Sequence, residues 1–273
     1  MNRMQFIDIS KGISILLMTL THLEFITKYE VIKNFNSEYL IIFKMPLFLM
    51  ISGFLYKPNK SNYSFILKKI DGLIKPSLSA LALFGLIGIV IYSRNFNVSA
   101  DVLQQSIFYS SSVGIGLWFV ISLFISLSVV NILYTLYLRS TYLFILALLG
   151  AFLVLLALNL YDINFLIFIL STLIYFVLYL FIGILFKKYK ILDKVINFRF
   201  LLLLFLLFST LVVVKKFINV DLRLYSNHYD PILVALSYSC IGAFIILNIA
   251  NVLTRTRYIS GVLVACGQSS FFI

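Results

Sequence analysis

Polar residues interrupt this chain rarely, and the apolar runs between them are long. A helix needs about 20 predominantly apolar residues to cross the hydrocarbon core of a bilayer. Runs of that kind follow one another nearly end to end: Ile7 to Ile26, Tyr39 to Tyr56, Pro76 to Tyr92, Gly114 to Leu138, Tyr142 to Leu160, Ile163 to Phe186, Phe198 to Val214 and Pro231 to Ala250. A ninth begins near Tyr258 and is still apolar at Ile273. The pattern predicts an all-α fold, a polytopic transmembrane helical bundle of about nine spans forming one domain over residues 1–273. The last run is short for a span and has no polar tail, so a longer parent protein is expected, with a short or re-entrant last segment as the alternative. Between Ser93 and Val113 the spacing of Val98, Val102, Leu103, Ile107 and Phe108 predicts a short amphipathic helix on the outer surface. No internal repeat is visible, which weakens a transporter reading based on inverted halves.

Composition supports lipid as the solvent. Apolar residues make up 62% and charged residues 12% of the 273, with mean hydropathy +1.06; soluble domains carry roughly 45–50% and about 25%. The net charge of +12 would suggest nucleic acid in a soluble chain. Here the basic residues sit in the breaks between apolar runs, which reads as orientation in the bilayer and implies no nucleic-acid partner. With the N terminus inside, Arg3, Lys57, Lys60, Lys68, Lys69, Lys75, Arg139, Lys187, Lys188, Lys190, Lys194, Arg199, Arg255 and Arg257 are cytoplasmic. Only Lys28, Lys33, Arg94, Lys215, Lys216 and Arg223 lie opposite, and Lys11 and Lys44 fall within spans. The asymmetry predicts a cytoplasmic N terminus and a multi-pass protein of the cytoplasmic (inner) membrane. Asp8 and Lys11 interrupt the first run and no small-residue cleavage site follows Thr21, so that run is a helix and not a signal peptide. Cys240 and Cys266 each lie inside an apolar run with no CxxC pair and no nearby His, which supports neither a disulfide framework nor a metal site.

Ionisable groups inside spans are the informative ones, because each costs a few kcal/mol on insertion scales. The first span carries Asp8, Lys11 and His22. Eleven residues of helix make three turns plus about 20°, so Lys11 and His22 share a face about 16 Å apart along the axis. They cannot touch each other, but they can touch one long ligand. The bland reading of Asp8 and Lys11 is a salt bridge with the lysine snorkelling to the headgroups, and that of His22 is an interfacial histidine. In the second span, FKMPLFLMISGFLYK, Pro46 frees the carbonyl of Ile42, and Ser52 and Gly53 permit close approach of a neighbouring helix. Packing explains Gly53 and leaves Lys44, which calls for a polar cavity or a ligand. Lys68, Lys69 and Lys75 stand beside the entrance to the third span, either as a solvated basic cluster or as a site for an anionic donor. Trp118 suits an interfacial anchor.

Together these pieces resemble the acyltransferase 3 family of integral membrane acyltransferases, in particular the branch that O-acetylates bacterial surface glycans (surface-polysaccharide O-acetylase, fucose 4-O-acetylase type). IDISKGISILLMTLTH looks like the family's opening signature, with Lys11 and His22 at its basic-residue-to-His spacing. FKMPLFLMISGFLYK is similar to its second-span pattern, GLWFVISLF to its Leu-Trp-Phe element, and GQSSFFI to the start of its terminal signature, which would continue into Tyr and His in a tenth span. Lys44 stands where His or an apolar residue is common, and Gly72 where a second basic residue often follows Lys69.

The resemblance implies an enzyme that transfers acyl groups other than aminoacyl groups. A cytoplasmic acyl-coenzyme A, with acetyl as the expected acyl group, is the co-substrate, and no bound cofactor is implied. The acceptor is a hydroxyl of an extracytoplasmic or lipid-linked glycan. Donor phosphates would favour Lys11 and Lys69, with Lys68 beside them, and the thioester would reach toward His22, as general base or as transient acyl acceptor. Asp8, Lys44, Pro46, Ser52, Gly53 and Trp118 support the site. The rival reading is a transporter or flippase of lipid-linked saccharide, which would spread polar residues over several spans instead of concentrating them in the first two. A non-catalytic membrane scaffold is a third.

Overall fold

The computed structural model describes residues 5–23, 41–59, 61–79, 117–140, 165–191, 201–210 and 232–269, with short pieces at 142–143, 145–146, 149–150, 153–154, 222–223 and 228–229. The described chain is helical apart from one two-residue antiparallel pairing, Leu222–Arg223 with His228–Tyr229. In chain order the main helices are α1 (Gln5–Leu23), α2 (Ile41–Leu55), α3 (Asn62–Lys69), α4 (Leu117–Arg139), α5 (Phe165–Lys188), α6 (Ile232–Leu253) and α7 (Arg257–Ser269). A further helical stretch covers Leu201–Thr210. Each coincides with an apolar run except α3, which lies in a break rich in lysine. There Ser61 caps the helix by accepting from the Ser64 N–H at 3.4 Å, and α3 passes into a π-helical segment, Ile70–Ile74. Among the described residues one helix, Leu236–Leu253, is long and apolar enough to cross a membrane by length and composition. Phe43–Leu55 within α2, Phe119–Tyr134 within α4 and Leu201–Thr210 are shorter apolar stretches. The runs expected over 80–92 and most of 142–160, and the surface helix expected within 93–113, lie outside the described residues.

The bundle is organised around α2, which packs on α5, α6 and α1, while α5 also packs on α4 and α1 on both α6 and α7. Its main core joins Leu47, Phe48 and Ile51 of α2, Leu123 and Val130 of α4, Phe176 and Leu180 of α5 and Ala243 of α6. Edge-to-face rings lock the layers, with Phe119 of α4 set between Phe48 of α2 and Phe176 of α5 at 5.6 and 5.5 Å. A smaller core joins Ile9, Ala250 and Leu263, where α1, α6 and α7 meet.

Glycine sets how closely these helices approach. A Cβ on Gly53 would overlap the Leu180 carbonyl of α5, and one on Gly183 of α5 would overlap the Met50 carbonyl of α2. The same reciprocity holds between α1 and α7, where Gly12 faces the Leu263 carbonyl and Gly267 the Asp8 carbonyl. Small residues at helix crossings are how bundles in lipid gain van der Waals contact without a hydrophobic drive.

The faces are inverted relative to a soluble bundle. α1 buries Asp8, Ser10, Lys11 and Ser14 and exposes Leu16 and Leu20, each 42% accessible. α4 buries Ser126 and Asn131 and exposes Ile121, Ile125, Val129 and Ile132 on one stripe. Charges and amides turned inward with leucine and isoleucine outward is the arrangement that hydrocarbon solvent demands.

Gly183→Val is expected to force α2 from α5 and lower stability by about 1–3 kcal/mol or more. Gly72→Ala, at a glycine with open space around its Cβ position, should be tolerated. Thermal unfolding of the two variants in detergent checks the contrast.

Candidate functional site

Asp8 and Lys11 lie one turn apart on α1, and both are buried, each only 4% accessible. A lysine snorkelling to headgroups would be exposed, so the ammonium of Lys11 is held inside the bundle. Asp8 Oδ2 accepts from Gln268 Nε2 of α7 at 3.3 Å, beside the close contact of Gly267 with the Asp8 carbonyl. One turn beyond Lys11, Ser14 Oγ donates to the backbone carbonyl of Lys44 at 3.1 Å and fastens α1 to α2 at that residue. Lys44 is also 4% accessible. Three ionisable groups from two helices are thus withdrawn into the region where α1 meets α2 and α7. α2 runs on through Pro46, which is buried, and Ser52 Oγ donates back to the Phe48 carbonyl of its own helix at 2.8 Å.

His22 and Trp118 belong to the helical backbones of α1 and α4, and their side chains lie outside the described residues. Because α1 is one helix from Gln5 to Leu23, the positions of Lys11 and His22 on a common face follow from its backbone. Lys68 and Lys69 belong to a different contact, that of α3 with α4. Lys68 is exposed, whereas Lys69 is half-buried with its Nζ 5.7 Å from the Phe65 ring centroid. Burial holds the Lys69 ammonium below the usual lysine pKa.

The sequence reading missed a second polar centre, built on Asn131 of α4. Its amide makes four hydrogen bonds: Oδ1 accepts from Tyr56 Oη at 2.5 Å and from the Asn59 N–H at 3.2 Å, and Nδ2 donates to the Asn59 carbonyl at 3.2 Å and to Asn62 Oδ1 at 2.6 Å. Asn59 Nδ2 in turn donates to Ser64 Oγ at 2.7 Å. The loop from α2 to α3 is thereby pinned to α4, and with it the helix that carries Lys68 and Lys69. The signal was present, since Asn131 is the only amide side chain in Leu117–Arg139.

A model of the acyltransferase 3 type, described as an acyltransferase domain, matches residues 4–273. The chain belongs to the acyltransferase 3 family. Membership makes it a membrane acyltransferase in general terms, with an acyl donor and an acceptor as substrates. No match was found among curated proteins or among solved structures. Cys240 and Cys266 are free thiols on α6 and α7. Among the described residues no group of three His, Cys, Asp or Glu side chains is placed to hold a metal ion.

Tyr56→Phe is expected to destabilise by about 1 kcal/mol, and Asn131→Leu by about 2–3 kcal/mol because it strands several polar partners. The double variant should lose less than the sum, and a double-mutant cycle on unfolding in detergent measures that coupling.

Proposed function

We propose that the protein is a multi-pass O-acyltransferase of the cytoplasmic membrane. It moves an acyl group, acetyl in the first instance, from cytoplasmic acyl-coenzyme A to a hydroxyl of an extracytoplasmic or lipid-linked bacterial glycan. The observation that carries this reading is the burial of Asp8 and Lys11 on α1, in a chain matched along residues 4–273 by the acyltransferase model. A lysine kept inside a bundle whose leucines face outward is costly and marks a functional position, and an anionic donor that extends along the same helix face is a ligand that suits it.

In this proposal the N terminus is cytoplasmic, and about nine spans of the bundle lie in the bilayer. The donor phosphates interact with Lys11 and Lys69, with Lys68 adding to the local positive field. The pantetheine arm follows α1 outward over the roughly 16 Å that separates Lys11 from His22. At the outer end the neutral His22 imidazole takes the proton of the sugar hydroxyl, whose oxygen attacks the thioester carbonyl. The new C–O ester bond forms, the C–S bond breaks, and coenzyme A leaves as the thiol once its sulfur is reprotonated. The alternative route places the acyl group on His22 first and passes it to the sugar afterwards. Asp8, bonded to Gln268, and Ser14, bonded to the Lys44 carbonyl, support the α1 face on which both steps depend. Lys44, Pro46, Ser52, Gly53 and Trp118 support the site from α2 and α4.

His22→Ala is expected to abolish O-acetylation of surface polysaccharide while inserting into the membrane normally, and full retained acetylation would remove His22 from the chemistry. Lys11→Ala should weaken dependence on acyl-coenzyme A more than it weakens folding, read as a raised KM for the donor. Movement of a lipid-linked sugar across vesicles without acyl transfer would favour the flippase instead.

A further inference from the structure

α2 and α5 end side by side, and the chain there presents more positive charge than helix termination requires. Lys187, in the last turn of α5, donates from Nζ to the backbone carbonyl of Tyr56, just past the end of α2, at 3.0 Å. That bond caps the carbonyl end of α2 and accounts for one lysine. It also brings the Lys187 ammonium close to Lys57, the next residue along. Burial, and after it the charge of Lys57, hold Lys187 below the ordinary lysine pKa.

No described acid relieves this repulsion. Among the described residues the only acidic side chains are Asp8 and Asp71, and both are engaged elsewhere, Asp8 with Gln268 and Asp71 with Lys75 at 2.6 Å. Tyr56 is fixed at its hydroxyl by Asn131 and at its carbonyl by Lys187, so the backbone that carries Lys57 is held against α4 and α5. Beyond Lys187, α5 closes with Lys188 over the ring of Tyr189, 5.3 Å from its centroid, and with Lys190 at φ 49°, where the helix stops. Tyr189 is exposed. Lysines around an exposed tyrosine at the end of an apolar helix mark the depth of lipid headgroups.

We propose that Lys57 and Lys187 form a binding site for the phosphate of an anionic phospholipid at the joint end of α2 and α5. A phosphodiester accepts from both ammonium groups at once and supplies a negative charge that no described side chain provides there, while the acyl chains lie along the apolar outer faces. The site depends on membrane placement alone and not on the identity of the acyl donor.

The test uses the full chain in nanodiscs of phosphatidylcholine with and without phosphatidylglycerol, reading retained phosphatidylglycerol by native mass spectrometry. The wild type is expected to retain it, and Lys57→Gln, which leaves the Lys187 to Tyr56 bond intact, to weaken retention roughly fivefold, the worth of one lysine near a charged surface. Lys190→Gln should have little effect. Equal retention by Lys57→Gln and wild type overturns the site, and equal loss in Lys190→Gln shows a diffuse field in its place. Displacement of phosphatidylglycerol by adenosine 3′,5′-bisphosphate overturns the lipid assignment, because the phosphate bound there would then be that of a soluble nucleotide. None of these readouts involves acyl transfer, so they stand or fall separately from the enzymatic proposal.

Discussion

Backbone-to-backbone contact between helices is the constraint from which the rest of this bundle follows. At Gly53 and Gly183, and again at Gly12 and Gly267, one helix lies so near its neighbour that even a methyl group would strike a carbonyl or an amide. Helices separated by ordinary side chains sit about 8–10 Å apart; the glycine crossings draw these pairs closer. Closeness of that order leaves little room for lipid, and it is what permits charged residues of α1 and α2 to be enclosed by protein. Were α7 to stand off from α1, Asp8 would lose both its Gln268 partner and its cover.

The two polar centres are built on different physical terms. Around α1 the groups are charged, and the contacts joining helices include an amide on a carboxylate and a hydroxyl on a backbone carbonyl. Around Asn131 the groups are neutral and the amide has no hydrogen-bonding capacity left over, since both donors and both acceptor positions are used within the chain. A saturated amide fixes geometry and offers nothing to a ligand, whereas the groups buried around α1 and α2 carry charge. That difference is why the enzymatic proposal rests on Asp8, Lys11 and Lys44 and treats Asn131 as scaffold.

Much of the helix placement was legible because apolar run length is a local property. Ile41–Leu55, Leu117–Arg139, Phe165–Lys188 and Ile232–Leu253 each fall within a few residues of the run that predicted them. Gly53 was legible as a small residue suited to a crossing, but its opposite number Gly183 was not, because no local pattern says which helices pair across more than a hundred residues. α3 and the π-helical segment after it read in the sequence as a basic break; Phe65 of the one and Leu73 of the other give them a face buried in the main core. The polarity of Lys11 and Lys44 was visible in the sequence, while their enclosure, and the tie from Ser14 to Lys44, depend on the third dimension. The double tether of Tyr56 left no local trace at all.

The widened winding at Ile70–Ile74 has a geometric consequence for that segment. In a regular α-helix, residues eight apart are two turns and about 80° out of alignment, so Phe65 and Leu73 would point in clearly different directions. A π turn takes more residues to complete each revolution, and the excess angle between the two positions shrinks accordingly. The slower rotation brings Leu73 nearer to the direction of Phe65, so a stretch interrupted by Lys68, Lys69 and Asp71 still presents one oily edge to the bundle while Lys68 and Asp71 stay exposed.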